Sequence, residues 1–302
     1  MASRDNDLPT GTRVLITGAS SGIGLAAAER FRDAGATLAL LARESDGLRE
    51  AAERVGGVAV AADVTNRVAL EQAVAEAVSR LGGLDVVVVN AGAAAFGPFS
   101  ETSPEEFDRT VEITLLGAVN TIRASLPELE RTDGTIVVTT SVVARIPMPL
   151  MSAYAAAKHG LRGFVRSLRS ELRATGSKLR ISIVAPGPVD TPFWTHTQDT
   201  DGRLPPPPPA AYDVDDVAKA IVGCAASPRA ERSVGRATAA AYVIDALAGP
   251  LVERVLGLGA RLALSQPRRP GVGSALWEPS GGAAESGDAE ERGVGVLQAD
   301  GQ

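Results

Sequence analysis

The chain has 302 residues, 45% of them hydrophobic and only 4% aromatic, which suits one large domain or two small ones packed with Ala, Val and Leu. A formal charge of −6 with no Lys/Arg block argues against nucleic-acid binding. The lone Cys224 excludes an intramolecular disulfide framework, and the two histidines, His159 and His196, cannot form a His-rich metal site, so no metal is expected.

Residues 1–11 are polar and acidic and read as a disordered tail, not a secretory signal. No uncharged apolar stretch reaches the ~20 residues needed to span a bilayer. No transmembrane segment is therefore expected, and the chain reads as cytoplasmic. The first apolar run, Arg13–Thr17 (RVLIT), is followed by GASSGIG and then by a helical pattern stopped at Gly35. Further strands are expected over Thr37–Leu41, Val58–Ala61, Leu84–Val89, Thr135–Thr140 and Leu179–Val184. Between them lie helical patterns over Glu44–Val55, Arg67–Leu81, Pro104 to about Leu126, and Ser152–Ala174. Ser103 with Glu106 three residues on has the form of a capping box. The strands are continuous β-branched runs, a sign of burial on both faces. Alternating with helices, they predict a Rossmann-like, doubly wound parallel sheet covered on both sides: an α/β fold over residues 12–235.

Beyond Ala185 the rhythm changes. Residues 187–212 read as a substrate loop containing five consecutive prolines at 205–209, which favour an extended polyproline segment. A helix over Asp213–Ala226 and a weak strand near Ser233–Val234 close the domain. Residues 236–264 form a C-terminal helical extension, two patterns divided at Gly249-Pro250. In the second, Leu251, Val255, Leu258 and Leu262 share a stripe, read as a packed core face in preference to a partner or membrane surface. Residues 265–302, rich in Pro, Gly and charge, read as a disordered tail.

Three residues first suggest chemistry. On a helix, Tyr154 and Lys158 share a face one turn apart. An ammonium beside a phenol favours the ionised form and lowers its pKa. Ser141, at the end of a predicted strand, can hydrogen-bond the same substrate oxygen. The plainer alternative is a surface helix with a packed Tyr and a solvated Lys. A second stretch, Thr17 to Gly24, lies between strand and helix, where glycines allow a tight turn and the helix N-terminus favours an anion such as a pyrophosphate. A Walker A reading fails because no Gly-Lys-Ser/Thr follows.

TGxxxGxG at Thr17–Gly24, Asn90-Ala91-Gly92, Ser141, Tyr154/Lys158 and Pro186-Gly187 stand in the order and at the spacings of the short-chain dehydrogenase/reductase family, which the chain resembles over roughly residues 11–195. The resemblance implies an oxidoreductase moving a hydride between a nicotinamide and a small-molecule carbonyl or secondary alcohol. Tyr154 would be the general acid/base, Lys158 would hold the nicotinamide ribose, and Ser141 would position the substrate oxygen. Gly18, Ser20, Ser21, Gly22 and Ile23 would contact the pyrophosphate end, and Asp63 and Val64 the adenine. Asn90, Ala91 and Gly92 would flank the adenosine ribose, and Pro186, Gly187, Val189 and Thr191 the carboxamide. The family often carries an Asn where this chain has Thr114, which leaves the proton relay with a weaker member. His196, Trp194 and Phe193, with Met148, Leu150 and Met151, would line or cover the pocket.

At the end of the second strand an acid would mark NAD. Leu41-Ala42-Arg43 offers an arginine instead, which favours NADP over NAD, against the alternative of a solvated loop Arg beside Glu44. The resemblance further implies a homodimer or homotetramer built partly on the Ser152–Ala174 helix, with small residues Ala153, Ala156, Ala157 and Gly160 on its flank. Two alternatives stay open: a specific ketoacyl or steroid/polyketide ketoreductase, and a non-catalytic dinucleotide-sensing protein.

Overall fold

In the computed structural model, residues 8–197, 210–265, 274–279, 282–285 and 295–297 are described. Seven parallel strands form one sheet: β1 (Arg13–Thr17), β2 (Thr37–Ala42), β3 (Val58–Ala61), β4 (Val86–Val89), β5 (Thr135–Thr139), β6 (Arg180–Pro186) and β8 (Glu231–Val234). Their order, β3-β2-β1-β4-β5-β6-β8, is that of a doubly wound Rossmann-like fold. Short strands β7 (Ala210–Tyr212) and β9 (Gly295–Leu297) pair separately.

Each central strand is apolar on both faces because each face is covered. Leu15, Val87, Ile136 and Ile183 belong to one core; Val14, Ile16, Val86, Val88, Val137 and Val184 belong to the other. That alternation is the two-residue period of a strand. Helices α1 (Gly22–Asp33), α2 (Asp46–Val55) and α7 (Val214–Ala226) supply Leu25, Leu48 and Ile221 to the second core. Helices α3 (Arg67–Leu81), α5 (Gly117–Arg131) and α6 (Ser152–Ala174) supply Leu70, Ile122, Leu161 and Val165 to the first.

The capping box at α4 (Pro104–Val111) is present in full, with Ser103 and Glu106 exchanging side chain-to-backbone bonds. The helix expected from Pro104 to about Leu126 is not uniform. A π-turn over Glu112–Leu116 joins α4 to α5, and α5 runs through Pro127 to Arg131.

The chain ends differ from the sequence expectation. Leu8 is buried in the α1 core, so the N-terminal segment is docked from that point on; residues 1–7 lie outside the described residues. Within the stretch read as a disordered C-terminal tail, residues 274–279 and 282–285 are seated on the body. Leu276 is 1% exposed, and Arg54 pairs with Glu285. Ser265 ends the last helix and Gly295–Leu297 form β9; the other residues of that tail, and the five prolines, fall outside the described residues.

Helix α8 (Arg236–Ser265) is broken by a non-helical Ala248 at φ −142°, ψ 37°, next to Pro250. Its first half is held by the buried Thr238 and Tyr242. The stripe expected to be a packed face is open to solvent: Leu251, Val255, Leu258 and Leu262 are 59–67% exposed. After the kink no residue of the helix is fully buried.

Candidate active site

Reversal of strand order beside β1 leaves a crevice at the carboxyl ends of the strands, where ligands bind in open α/β sheets. The turn after β1 is shaped by its glycines. Gly18 holds a φ of +66°, and a Cβ on Gly24 would stand 2.2 Å from the Gly18 carbonyl oxygen. Asn90, just after β4, staples this turn: its Nδ2 donates to the carbonyls of Thr17 and Gly18 at 3.2 and 3.3 Å. The Thr17 hydroxyl accepts from the Asn90 and Ala91 amides at 3.0 and 3.2 Å. The Asn90 side chain is therefore committed to the turn, and what it offers a ligand is a fixed neighbourhood.

A single continuous cavity starts at this turn. Gly18, Ser20, Ser21, Gly22 and Ile23 line one end with Arg43, Asp63 and Val64. Asn90, Ala91 and Gly92 line the middle. Ser141, Tyr154 and Lys158 line the cavity as well, with Pro186, Gly187, Val189 and Thr191, the last of them beside Gly22. Of the residues singled out from sequence for catalysis or cofactor, only Thr114 does not line it. Met148, Met151, Phe193, Trp194 and His196 wall the same cavity, while Leu150 packs behind them with Met148, Tyr154 and Phe193.

Ser141 follows β5 and caps a short 3₁₀ turn, its Oγ accepting from the Val143 amide at 3.2 Å. The same hydroxyl hydrogen-bonds Tyr154 on α6, which favours the phenolate. Burial works the other way and wins, so the phenol is pushed above its ordinary value. Phe193 lies 5.5 Å from the Tyr154 ring, centroid to centroid. Lys158 is 3% exposed, and burial brings its ammonium down to about 8. Its Nζ donates to the Thr139 carbonyl at 2.9 Å and lies 5.5 Å from the centre of the Tyr154 ring. This corrects the expectation that Lys158 lowers the Tyr154 pKa. The ammonium is tied to β5, and the phenol's shift comes from burial, offset in part by the Ser141 bond alone.

Thr114 sits in the π-turn, fully buried. Its hydroxyl donates to the Ala93 carbonyl at 2.8 Å and accepts from the Ala93 amide at 3.1 Å. Thr114 thus holds the loop after β4. A side chain at Gly92 would fall between Thr114 Oγ1 and Lys158 Nζ, at 3.6 and 3.7 Å, so glycine keeps that space open.

The loop after β6 is braced by bonds of its own and by β7. Trp194 Nε1 donates to the Val189 carbonyl at 2.9 Å, and His196 Nδ1 meets the Pro192 carbonyl at 2.8 Å. His196 therefore serves the wall. Sequence reasoning missed Thr139 as the lysine's acceptor, and Tyr242 of α8, whose hydroxyl donates to the Ser141 carbonyl at 3.4 Å. It also missed Arg109 of α4, whose guanidinium pairs with Asp63 at 2.6 Å and, with Thr65, keeps that carboxyl below its usual range despite burial. No local pattern marks any of the three. Among the described residues no group of His, Cys, Asp or Glu is arranged to hold a metal, and no helix is long and apolar enough to cross a membrane.

Comparison with known proteins decides the family. The family model for short chain dehydrogenases matches residues 12–202. The chain belongs to the short chain dehydrogenase family. Among its relatives is a hydroxysteroid 11-beta-dehydrogenase 1-like protein of Xenopus tropicalis, 34% identical over 237 residues, 76% of this chain and 80% of the relative. Another is oxidoreductase UcpA of Salmonella typhimurium, 38% identical over 61% of this chain and 72% of that protein. Among solved structures, the alcohol dehydrogenase of the archaeon Thermococcus sibiricus, complexed with 5-hydroxy-NADP, matches at a TM-score of 0.62 and 31% identity. The match covers 74% of this chain and 96% of that one. A 3-ketoacyl-(acyl-carrier-protein) reductase of Brucella melitensis, complexed with NADH, matches at 0.67 and 28% identity, covering 74% and 97%. This short chain dehydrogenase is accordingly an oxidoreductase, and its sheet is the family's.

Proposed function

We propose that this short chain dehydrogenase is an NADP-preferring oxidoreductase that interconverts a small-molecule carbonyl and the corresponding secondary alcohol. One observation carries the reading: Ser141, Tyr154 and Lys158 line one cavity with the glycine turn and Arg43. The fit to a dinucleotide rests on two features. Gly18 and Gly22 of the turn line the cavity, and among the described residues Arg43 Nη1 is buried with no hydrogen-bond partner. The solved relatives with 5-hydroxy-NADP and with NADH support a nicotinamide dinucleotide.

The cofactor, when bound, supplies or receives the hydride. Every other task falls to the chain. The Ser141 hydroxyl donates to the substrate oxygen and fixes its place. Tyr154 gives its phenolic proton to that oxygen as negative charge develops in reduction, and takes it back in oxidation. Its raised pKa keeps it protonated at neutral pH, which suits the acid role. Lys158, charged below about pH 8, holds ribose hydroxyls beside the phenol. Phe193, Met148 and Met151 exclude water and favour an apolar substrate. We also read the protein as a cytoplasmic homo-oligomer. Exposed Ala156 and Gly163 on the outer side of α6 support close helix packing, whereas Ala153 and Ala157 point into the core. Light scattering of the purified protein tests that reading.

Tyr154→Phe should lower turnover of a ketone, aldehyde and alcohol panel by roughly 10²–10⁴-fold, read at the nicotinamide absorbance. Unchanged turnover would sink the mechanism. For the cofactor, NADPH should bind more tightly than NADH, and Arg43→Ala should remove most of the difference. Tighter NADH binding by the unmodified protein refutes the preference.

A further inference from the structure

Arg43 and the C-terminal residues 274–279 are joined in a way the family fold does not require. Arg43 Nη2 donates to the Ala275 carbonyl at 2.9 Å and also to the Glu278 carbonyl. Arg109 Nε donates to the Leu276 carbonyl at 3.0 Å, while its other nitrogens hold Thr65 and Asp63 at 2.8 and 2.6 Å. The Ala275 amide donates to the His196 carbonyl at 3.1 Å, which ties the segment to the loop after β6. Leu276 is buried in the core on the α5 side of the sheet. Ala275 and Pro279 line the cavity beside Arg43 and Asp63. Among the described residues Arg43 makes no ion pair within 4.0 Å, and the only carboxylates acting on it are Asp63, already paired with Arg109, and Glu278 of the segment itself. Among the described residues its Nη1 is buried with no acceptor, a donor that gains from a ligand oxygen brought within reach.

We propose that residues 274–279 are a clasp that positions Arg43 for the 2′-phosphate of the dinucleotide, which makes Leu276 and Ala275 specificity-determining positioning residues of this enzyme. The inference rests on the NADP reading above. Two carbonyls fix one guanidinium nitrogen, and that leaves the rest of the fork pre-oriented. A long, flexible side chain then loses little freedom when it meets the phosphate. NADH lacks the phosphate and draws nothing from this arrangement. The two cofactors are thus separated by a segment that follows the whole sheet in the chain.

The experiment compares affinities of NADPH and NADH, by titration calorimetry, for full-length wild type, Leu276→Asn, Ala275→Pro and Arg43→Ala, with each clasp substitution repeated in the Arg43→Ala background. Neither clasp change adds charge near the phosphate, and thermal unfolding of each variant reports whether the body stays intact. NADPH affinity is expected to fall about tenfold in both clasp variants while NADH stays within about twofold, with no further change of the ratio when Arg43 is already Ala. Equal losses for both nucleotides, an unchanged ratio, or tighter NADPH binding would each overturn the clasp. The last would make it a plug. Wild-type preference for NADH would instead overturn the cofactor reading itself, an outcome distinct from preference that survives loosening of the clasp.

Discussion

Lys158 is stabilising for function and costly for the fold. Its folded-state pKa lies near 8, below the ordinary 10.5, so the unfolded chain binds more protons between those values. Burial therefore destabilises the protein fully below about pH 8, and the cost fades as pH rises toward 10.5. Lys158→Met should raise stability at pH 7 by roughly 1–3 kcal/mol, net of the lost bond to Thr139, and flatten the rise in stability above pH 8. Denaturant unfolding at a series of pH values checks both. The Tyr154 shift has a kinetic sign as well. Oxidation needs the phenolate and should accelerate with pH up to the limit of protein stability, while reduction should stay flat through neutral pH. For Thr114 the expectation is structural. Thr114→Val leaves both Ala93 groups unpaired in a buried place and should cost about 1–3 kcal/mol, whereas Thr114→Ser should restore most of it.

At the scale of elements, the glycine turn makes a sharp contrast testable. Gly24→Ala would press a Cβ into the Gly18 carbonyl and should cost about 2–4 kcal/mol together with nucleotide binding. Gly56→Ala, where nothing lies within 4 Å and only the φ of +63° is strained, should cost about 1 kcal/mol and leave binding intact. The elements themselves were legible because Val86–Val89 and Ile136–Val138 are unbroken β-branched runs between capped helices, a pattern only a doubly covered sheet satisfies. The π-turn was not legible. Glu112–Leu116 (EITLL) has ordinary helical composition, and the extra residue per turn is imposed by packing, with Thr114 against Ala93 and Leu115 against Gly160. The helix expected to about Leu126 runs on through Pro127, which α5 absorbs four residues before its own terminus. Within the site, motif residues were readable because the glycine turn, Asn90 and Ser141 follow strand ends and Tyr154 and Lys158 stand one turn apart on one helix. Arg109 and Tyr242 were not, since they reach the site only through tertiary contacts.

Over the whole molecule, spacing showed that the last helix is amphipathic but not what covers it. The leucine stripe beyond the kink at Ala248 stands in solvent, so replacing Leu251, Leu258 and Leu262 with Gln should change unfolding free energy by no more than ~0.5 kcal/mol per site while improving solubility. A packed face would lose several times as much.

The cavity rim draws on residues as far apart as Gly18 and Pro279, and that separation has a consequence in time. A ribosome adds about 5–20 residues per second. The seventh strand ends at Val234, and the segment that closes over Arg43 follows several seconds later. A nascent chain thus passes through an interval with its sheet complete and Arg43 uncovered, in which a ligand meets an open groove. The mature protein offers the same ligand a roofed one.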